Sequence, residues 1–432
     1  MAKENKKEPE IEEKPKLNLI EQLLAQNVRF FTFLYFDVFG KKYSLTVPIS
    51  ELDISVFAAG HETETAFGEA KLLPDRDNFF ILPWQAENVF FITRVENKKD
   101  PFQYLEKAIV LLGEEGLGFA KAQSRVSFNV FDNLSWVLDS KTMASAIESV
   151  EMTSMGKNYP LSLGEEKQRA PPHDSTSAFR TQLAFVLKEF AGKEVISHYH
   201  GDSFGCCVME FKETDLINSA ISFLMLKFFA KNLSLQMNAI ATFMPKPLWE
   251  SPGNFYELSF TLEKDGKNTF LQEEEMSGLA KKFIGGILAH APSLCLFTNP
   301  STNSYRRLLE KIYGWSSSFE NTILRFRKGR VVFSLPDPSC VPPMAIAATL
   351  LAGLDGVKNN TDPGTPLERT IIKRSLPSNL KETASALEDD NSYLGPLFEK
   401  DILSEYLRKK KAEYLLVEKY PSPIEYKQYL DI

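Results

Sequence analysis

The stretch Thr242-Phe243-Met244-Pro245-Lys246-Pro247 decides the fold, and five other stretches follow it in order along the chain. These are GGILAHA at 285–291, NPSTNSYRRL at 299–308, Trp315-Ser316, Asp337-Pro338 and LLAGLDGVKN at 350–359. A specific run of six residues, followed by five further landmarks in a fixed order, makes coincidence implausible.

As a set, they resemble the landmarks of the glutamine synthetase catalytic domain. Three earlier pairs resemble marks of that family's N-terminal β-grasp domain: Pro74-Asp75, Pro83-Trp84 and Asp100-Pro101. The resemblance covers roughly residues 28–425. It implies an α+β protein, with a small β-grasp domain followed by a larger catalytic α/β domain. It also implies homo-oligomeric rings in which neighbouring subunits share active sites.

The residue pattern predicts a similar division. Residues 1–16 carry five lysines, five glutamates and two prolines, a composition that cannot bury enough apolar surface to order itself. We predict a disordered tail there, a β-grasp domain over 17–100 and a catalytic domain over 101–432. The alternation from Val28 to Leu45, with Gly40 and two lysines at a turn, predicts a β-hairpin at the start of the first domain.

Downstream, the periodicity predicts helices over Tyr104–Glu115, Phe179–Phe190 and near 380–389 and 399–418. Val126–Phe131 has the pattern of a strand, and Ala220–Leu235 that of a core helix. The polar stretch 135–175 lacks periodicity and contains a Pro-Pro pair, so we expect a long loop or a functional flap.

Composition bounds the class of protein. The formal net charge is −7 and no basic stripe is present, which argues against nucleic acid as a partner. Apolar runs near 220–235 and 283–297 are interrupted by Lys227, His290 and Pro292, so we expect no membrane span. The four cysteines have no paired spacing and are expected to be buried thiols, for which Cys206-Cys207 offers a weak redox alternative. Together these features predict a cytoplasmic protein.

The resemblance also implies a reaction. The family uses ATP to phosphorylate the side chain of glutamate, after which ammonia displaces the phosphate, and Mg²⁺ ions held by glutamates and one histidine neutralise the phosphates. Aligned with those metal ligands, this chain has other residues at every position: Arg125, Ser127, Gly201, Val208, Phe255 and Val332. The Asn-Arg pair expected after Trp-Ser falls on Phe319-Glu320, which places a negative charge where the family meets phosphate. Such a carboxylate would repel ATP by about 1–4 kcal/mol.

Some matched positions keep their residue type. His200 and Arg307 are remnants of the catalytic positions, and Ser259, Arg325 and Arg330 are remnants of nucleotide or phosphate positions. These side chains could form a residual anion pocket or persist as structural ion pairs. His198, His200 and Asp202 share one face of a strand, and offer a small metal site as an alternative to two neutral, hydrogen-bonded histidines.

Three functions remain open. The leading hypothesis is a catalytically degenerate glutamine synthetase homologue with a structural, ligand-binding or regulatory role. The alternative is an active ATP-dependent carboxylate–amine ligase with another substrate, whose metal site would be rebuilt from carboxylates elsewhere: Glu62, Glu64, Asp202, Glu210 or Glu257. A third possibility is a regulatory partner that assembles into mixed rings with an active family member.

Overall fold

The structure is a computed structural model that describes residues 18–139, 142–152, 167–368, 375–420 and 422. The predicted tail at residues 1–16 lies outside the described residues, as does part of the stretch 135–175. The chain divides into two compact units. One holds Tyr43–Glu96 and the chain up to Tyr35, and the other holds Phe36–Lys42 and the chain from Asn97 onward. The domain limits at residues 17, 100 and 101 stay predictions.

The first unit is a mixed sheet in the order β2-β1-β5-β4-β3, with β1 parallel to β5. Its strands are β1 (Phe30–Phe36), β2 (Lys42–Pro48), β3 (His61–Thr65), β4 (Gly68–Leu82) and β5 (Gln85–Val95), and its helices are α1 (Leu19–Ala25) and α2 (Val56–Ala59). The core of this unit is aromatic: the rings of Phe31 and Phe91 stack with centroids 4.3 Å apart. The hairpin predicted over Val28–Leu45 is confirmed, because β1 and β2 are hydrogen-bonded neighbours.

The second unit contains a larger, mainly antiparallel sheet packed against helices. Its principal strands run in the order β17-β18-β19-β13-β6-β10-β9. The strands from β6 onward are β6 (Phe119–Phe131), β7 (Asn133–Leu138), β8 (Met143–Glu148), β9 (Val195–His200), β10 (Cys206–Phe211), β11 (Thr214–Asp215), β12 (Ile240–Thr242), β13 (Tyr256–Lys264), β14 (Lys267–Asn268), β15 (Leu271–Gln272), β16 (Glu275–Met276), β17 (Ile312–Ser316), β18 (Thr322–Arg327) and β19 (Arg330–Phe333). The helices are α3 (Phe102–Glu114), α4 (Ser177–Ala191), α5 (Leu216–Gln236), α6 (Gly278–Thr298), α7 (Thr302–Leu308), α8 (Pro342–Lys358), α9 (Leu380–Asp389) and α10 (Lys400–Glu418). The predicted helices and the strand at Val126–Phe131 are confirmed by α3, α4, α9, α10 and β6.

The interpretation of residues 135–175 as a long loop or flap was wrong in part. β7 and β8 pair in antiparallel register, with Trp136 opposite Ser145. Most β7 side chains are exposed, and Trp136 itself is 69% exposed. Since neither face of this hairpin is buried, its sequence lacks the one-sided alternation that identifies a strand.

Helix α5 forms the centre of the second unit. It begins at Asp215, whose carboxylate accepts a 2.8 Å hydrogen bond from the backbone N–H of Asn218. By length and composition this helix could cross a membrane, but 67% of its most apolar stretch is buried within the protein. That burial is the pattern of a core helix, as the sequence predicted.

The stretch 242–247 begins at the end of strand β12 and is hydrogen-bonded to helix α7. Thr242 ends β12, which pairs with β6. Beyond it, the backbone N–H of Lys246 donates to Oδ1 of Asn303 at 2.7 Å, and the Asn303 amide donates back to the Lys246 carbonyl at 3.1 Å. Two of the landmark stretches are thus tied together by hydrogen bonds.

Candidate functional site

The six positions aligned with metal ligands converge in the second unit. Five of them line one cavity of about 190 Å³, which we call the site cavity: Arg125, Ser127, Gly201, Val208 and Phe255. Val332 lines an adjoining cavity of about 240 Å³ that shares Arg125 with the first. The sheet register explains the convergence, because Val208 lies opposite Ser127 in the ladder between β10 and β6. Phe255 is fixed beside them, since its N–H donates to the Ser127 hydroxyl at 2.8 Å.

Arg125 occupies the middle of this arrangement. Its guanidinium forms a salt bridge with Glu257 at 2.9 Å, donates to the Tyr199 hydroxyl at 3.2 Å and lies 5.0 Å from the centroid of the Phe255 ring. Burial is the largest single influence and would lower the pKa of Arg125, but Glu257, Tyr199 and Glu210 together outweigh burial and raise the pKa above its ordinary value. A permanent positive charge therefore faces the cavity.

Glu257 is the centre of a chain of alternating charges. One of its carboxylate oxygens pairs with Arg125 and the other with Arg325, and only 8% of the residue is exposed. Arg325 also pairs with Glu320, which in turn pairs with Arg327 at 2.7 Å. Burial would raise the pKa of Glu320, but Arg325 and Arg327 outweigh it and lower the pKa. We call these five residues, Arg125 to Arg327 through Glu257, the charge chain. Glu320 is thus neutralised by arginines rather than left as an isolated negative charge.

The remnant positions lie in different places and make different contacts. The Arg307 guanidinium donates to the Leu335 and Ser334 carbonyls at 2.8 and 2.9 Å, so this buried side chain braces the backbone at the cavity wall. Ser259 and Arg325 line the adjoining cavity. Arg330 lines neither cavity and forms a 2.7 Å salt bridge with Glu213. Arg330 is therefore not brought together with the other remnants.

His200 is fully buried and pairs with a residue that sequence reasoning missed. Its Nε2 lies 3.1 Å from Oε2 of Glu151, and its Nδ1 lies 2.8 Å from the Gly201 carbonyl. Glu151 also accepts hydrogen bonds from the Gly205 N–H and the Ser175 hydroxyl, each at 2.5 Å. Burial would lower the pKa of His200 and raise that of Glu151, but their mutual attraction reverses both directions. The hydrogen bonding of His200 agrees with the sequence interpretation, whereas the contact with Glu151 favours the protonated imidazole over the neutral one. No motif marks Glu151, which lies in the stretch without periodicity.

His198 differs from His200. Its Nδ1 is buried without a hydrogen-bond partner, and burial, with Arg180 adding to it, lowers the pKa of this imidazole. Asp202 lines the site cavity, beyond the end of β9. Across the described residues, no group of three or more His, Cys, Asp or Glu side chains could hold a metal ion.

The nearby thiols of Cys206 and Cys207 are buried, and burial raises the pKa of each to about 12.

Lys311 was also missed. It lines the site cavity, and its pKa is lowered to about 7 by burial first and then by Arg307. Basic and acidic side chains are equal in number around the cavity, with four of each in its lining: Arg125, Lys167, Arg307 and Lys311, with Asp202, Glu257, Glu310 and Glu320. A divalent metal site needs more negative ligands than positive groups, and this lining has no such surplus.

The carboxylates proposed for a rebuilt metal site are dispersed. Glu62 and Glu64 lie on β3 in the first unit. In the second unit, Glu210 lines the adjoining cavity and accepts hydrogen bonds from Gln123 and Ser197 at 2.8 and 2.7 Å. Glu257 is engaged by two arginines. The described residues of the second unit therefore do not fit a magnesium or manganese ion.

Comparison with known proteins identifies the family. Residues 98–429 match the family model described as "Glutamine synthetase, catalytic domain". The chain is 30% identical over 464 residues to the glutamine synthetase of Sulfolobus acidocaldarius, with 95% of this chain and 98% of that protein covered. It is 28% identical to the glutamine synthetase of Frankia alni, covering 96% and 99% of the two chains.

The structural comparison agrees on the fold. A cryo-EM structure of Plasmodium falciparum glutamine synthetase superposes with a TM-score of 0.87 over 95% of this chain and 98% of that one. The sequence identity is 20%, so this likeness is evidence for the fold alone. With the family model covering most of the chain and the sequence relatives aligned over nearly their full length, this protein belongs to the glutamine synthetase family.

Proposed function

We propose that this protein is a glutamine synthetase homologue that has lost the ordinary glutamine-forming reaction and has a structural, ligand-binding or regulatory role. One observation supports the proposal: the Arg125 guanidinium pairs with Glu257 in the cavity lined by five of the six positions that the resemblance aligns with metal ligands. The salt bridge supplies internally the charge balance that a metal and its carboxylates supply in the family. The glutamine synthetase domains at 17–100 and 101–432 would be retained as the scaffold.

Electrostatics explains why a metal would not bind beside Arg125. Two unit charges 4 Å apart interact by about 4 kcal/mol at an effective dielectric constant near 20, and a divalent ion would double the repulsion. Glu257 cannot offset that cost, because both of its oxygens already pair with arginines. Without a bridging ion, the phosphates of ATP would lack the charge neutralisation on which phosphoryl transfer depends. ATP binding and turnover are therefore both expected to be lost.

The alternative function, a ligase with another carboxylate substrate and a rebuilt metal site, needs at least three converging metal ligands. In the described part of the chain the nearest candidates are Asp202, Glu210 and Glu257, which do not form such a group. The proposal without metal catalysis therefore accounts for more of the observed contacts.

An assay of ADP release tests the proposal. Purified full-length protein would be incubated with ATP, Mg²⁺ or Mn²⁺, glutamate and ammonia, beside the double variant Asp202→Asn/Glu210→Gln. These two carboxylates lack arginine partners among the described ion pairs, so the variant removes candidate metal ligands without breaking the charge chain. We expect the same background for both proteins. Turnover in the wild type that disappears in the variant would mean that the metal site has been rebuilt, and would overturn the proposal.

The assembly follows from the fold in the same proposal. We infer a cytoplasmic homo-oligomeric ring, with an active family member as a possible co-assembling partner. Light scattering coupled to gel filtration would give the mass of the assembly, and affinity purification followed by mass spectrometry would reveal mixed rings. A monomer at micromolar concentration would contradict the ring.

A further inference from the structure

The same unit contains a second cavity. It measures about 390 Å³ and shares no lining residue with the site cavity. Three lysines line it: Lys42 from the tip of the β1–β2 hairpin, and Lys227 and Lys231, which are one helical turn apart on α5. We call it the lysine cavity. It includes part of the landmark stretch 242–247, through Phe243, Met244 and Pro245.

The charge of the lysine cavity is one-sided. Three cations line it, and no Asp or Glu is among the described residues of its wall. None of these three lysines forms a salt bridge with another described residue, and they weaken one another's protonation. The pKa of Lys227 is lowered to about 8 by burial first, with Lys231 and Lys42 adding to it, while Cys340 and Asp337 oppose the shift. The pKa of Lys42 is lowered by burial and then by Lys231.

The contacts of these ammonium groups leave the charge uncompensated. Lys227 donates to the Cys340 carbonyl at 3.3 Å and lies 4.6 Å from the centroid of the Phe223 ring. Lys42 lies 5.1 Å from the centroid of the Phe228 ring. Carbonyls and rings stabilise a cation only partly, so repulsion among three lysines favours binding of a counter-charge from outside the chain.

The remaining wall defines the shape of a ligand. Phe36, Phe39, Phe243 and Leu224 present apolar surface, whereas Ser301 and Ser339 present hydroxyls. The N-terminal residues of α8 also border the cavity, and the N-cap residue Val341 supplies no side-chain acceptor to the first turn. The positive end of this helix adds to the attraction for an anion. A cavity of this size holds a molecule with one or two aromatic rings.

We propose that the lysine cavity binds an organic anion that combines a carboxylate, sulfonate or phosphate head with a flat apolar body. The head would lie between Lys42, Lys227 and Lys231, and the body would lie against the phenylalanine rings. The proposal does not depend on whether the site cavity retains any chemistry, because the two cavities have separate linings.

A pair of dyes tests charge and shape separately. Anilinonaphthalene sulfonate carries an anionic head on an aromatic body, and N-phenylnaphthylamine has nearly the same body without the charge. Fluorescence titration of the full-length protein would follow each dye. We expect one saturable site per chain for the sulfonate and much weaker binding of the neutral dye. Equal binding of both dyes, or no saturable binding of the sulfonate, would overturn the proposal.

Variants locate the site. Lys231 is exposed at the cavity mouth, so Lys231→Met should fold normally and weaken sulfonate binding about tenfold, as expected for loss of a charge-assisted contact. Lys227→Met should weaken it at least as much. Lys281→Met removes an exposed lysine of α6 outside the cavity and serves as the control. Unchanged affinity in both cavity variants would contradict the assignment even if the dye binds.

The pH profile gives an independent readout. An anion binds the ammonium form, and Lys227 in the empty cavity loses its proton around pH 8, whereas ordinary lysines remain charged to above pH 10. Sulfonate affinity should therefore fall as pH rises above about 8, and this fall should be smaller in the residual binding of Lys227→Met, in which Lys42 still has a lowered pKa. A fall that begins only near pH 10 would assign the binding to exposed lysines instead.

Discussion

The α6–α8 helix pair and the site cavity differ in what constrains their residues. Close packing constrains the helix pair, and charge balance constrains the cavity. The helix pair carries the landmarks GGILAHA and LLAGLDGVKN, and its two helices cross at Gly286 and Gly356. A Cβ added to Gly286 would lie 2.1 Å from the Ala352 carbonyl oxygen, and one added to Gly356 would lie 2.4 Å from the Gly286 Cα. No side chain other than hydrogen fits that crossing.

The site cavity has a different constraint. Phe255 is half-buried and lines the open space of the cavity, so close packing does not fix the size of its side chain as it does at the helix crossing. Charge is constrained instead, because Arg125 requires Glu257 and Glu257 requires Arg325. Each glycine at the helix crossing is therefore fixed individually by close packing, whereas the charged residues of the cavity are constrained together by the need to balance their charges.

Glu257→Gln tests whether charge balance constrains the cavity. Among the variants considered, it has the largest expected effect on stability. Two arginines would lose their shared carboxylate in a largely buried place, which should lower the free energy of unfolding by about 3 kcal/mol. Glu320→Gln is the matched control, since its side chain is 62% exposed and its loss should cost less than about 1 kcal/mol. Urea denaturation would measure both. Equal effects would show that Glu257 is not the centre of the charge chain.

Gly356→Ala tests the helix crossing. The added methyl group would overlap the backbone of α6 and should lower the free energy of unfolding by about 1–3 kcal/mol. Gly278→Ala, at the start of α6, is the control, because a Cβ there meets no heavy atom within 4 Å. Thermal and urea unfolding of the two variants would be compared with the wild type. If the Gly356→Ala protein were as stable as the Gly278→Ala protein, close packing would not be the reason for glycine at position 356.

The buried His200–Glu151 pair predicts a pH dependence. The pKa of His200 is raised, so its stabilising effect is complete below its unfolded pKa of about 6.5 and is lost as pH rises through the higher folded value. The pKa of Glu151 is lowered, so its contribution is lost as pH falls below about 4.5.

Unfolding measured from mildly acidic to alkaline pH would test this pair. His200→Gln should destabilise the protein by about 1–3 kcal/mol in mild acid, with a smaller difference at alkaline pH. His198→Gln should show the opposite trend, because the pKa of His198 is lowered and its protonation opposes folding. Parallel pH profiles for the two variants would refute the assigned pair.

Arg330→Ala has the smallest expected effect. This remnant position pairs with Glu213, and both side chains are more than a quarter exposed, so the loss should be below about 1 kcal/mol. Denaturation and dye binding should both remain near wild-type values. A large change in either would place Arg330 in a site that its described contacts do not indicate.

Local patterns predicted much of the fold. Helices α9 and α10 matched the expected ranges because helical periodicity is read within a few turns of chain. The β7–β8 hairpin was missed because both of its faces are largely exposed and no apolar stripe marks it. Gly201 and Val208 were located by counting back from the landmark at Thr242, and Arg125 by the strand pattern ahead of Phe128. Glu151 and Lys311 were not, because burial and long-range charge give them their properties, and a sequence pattern does not record either.

The most direct test of the central claim is whether the site cavity binds a divalent metal. Mn²⁺ would be titrated into the full-length protein and followed by electron paramagnetic resonance, with Asp202→Asn/Glu210→Gln alongside. We predict that the wild type shows no stoichiometric site that the variant lacks, because Arg125 and Glu257 already neutralise each other. Stoichiometric Mn²⁺ binding that is abolished in the variant would contradict the account and show that metal chemistry has been rebuilt in this cavity.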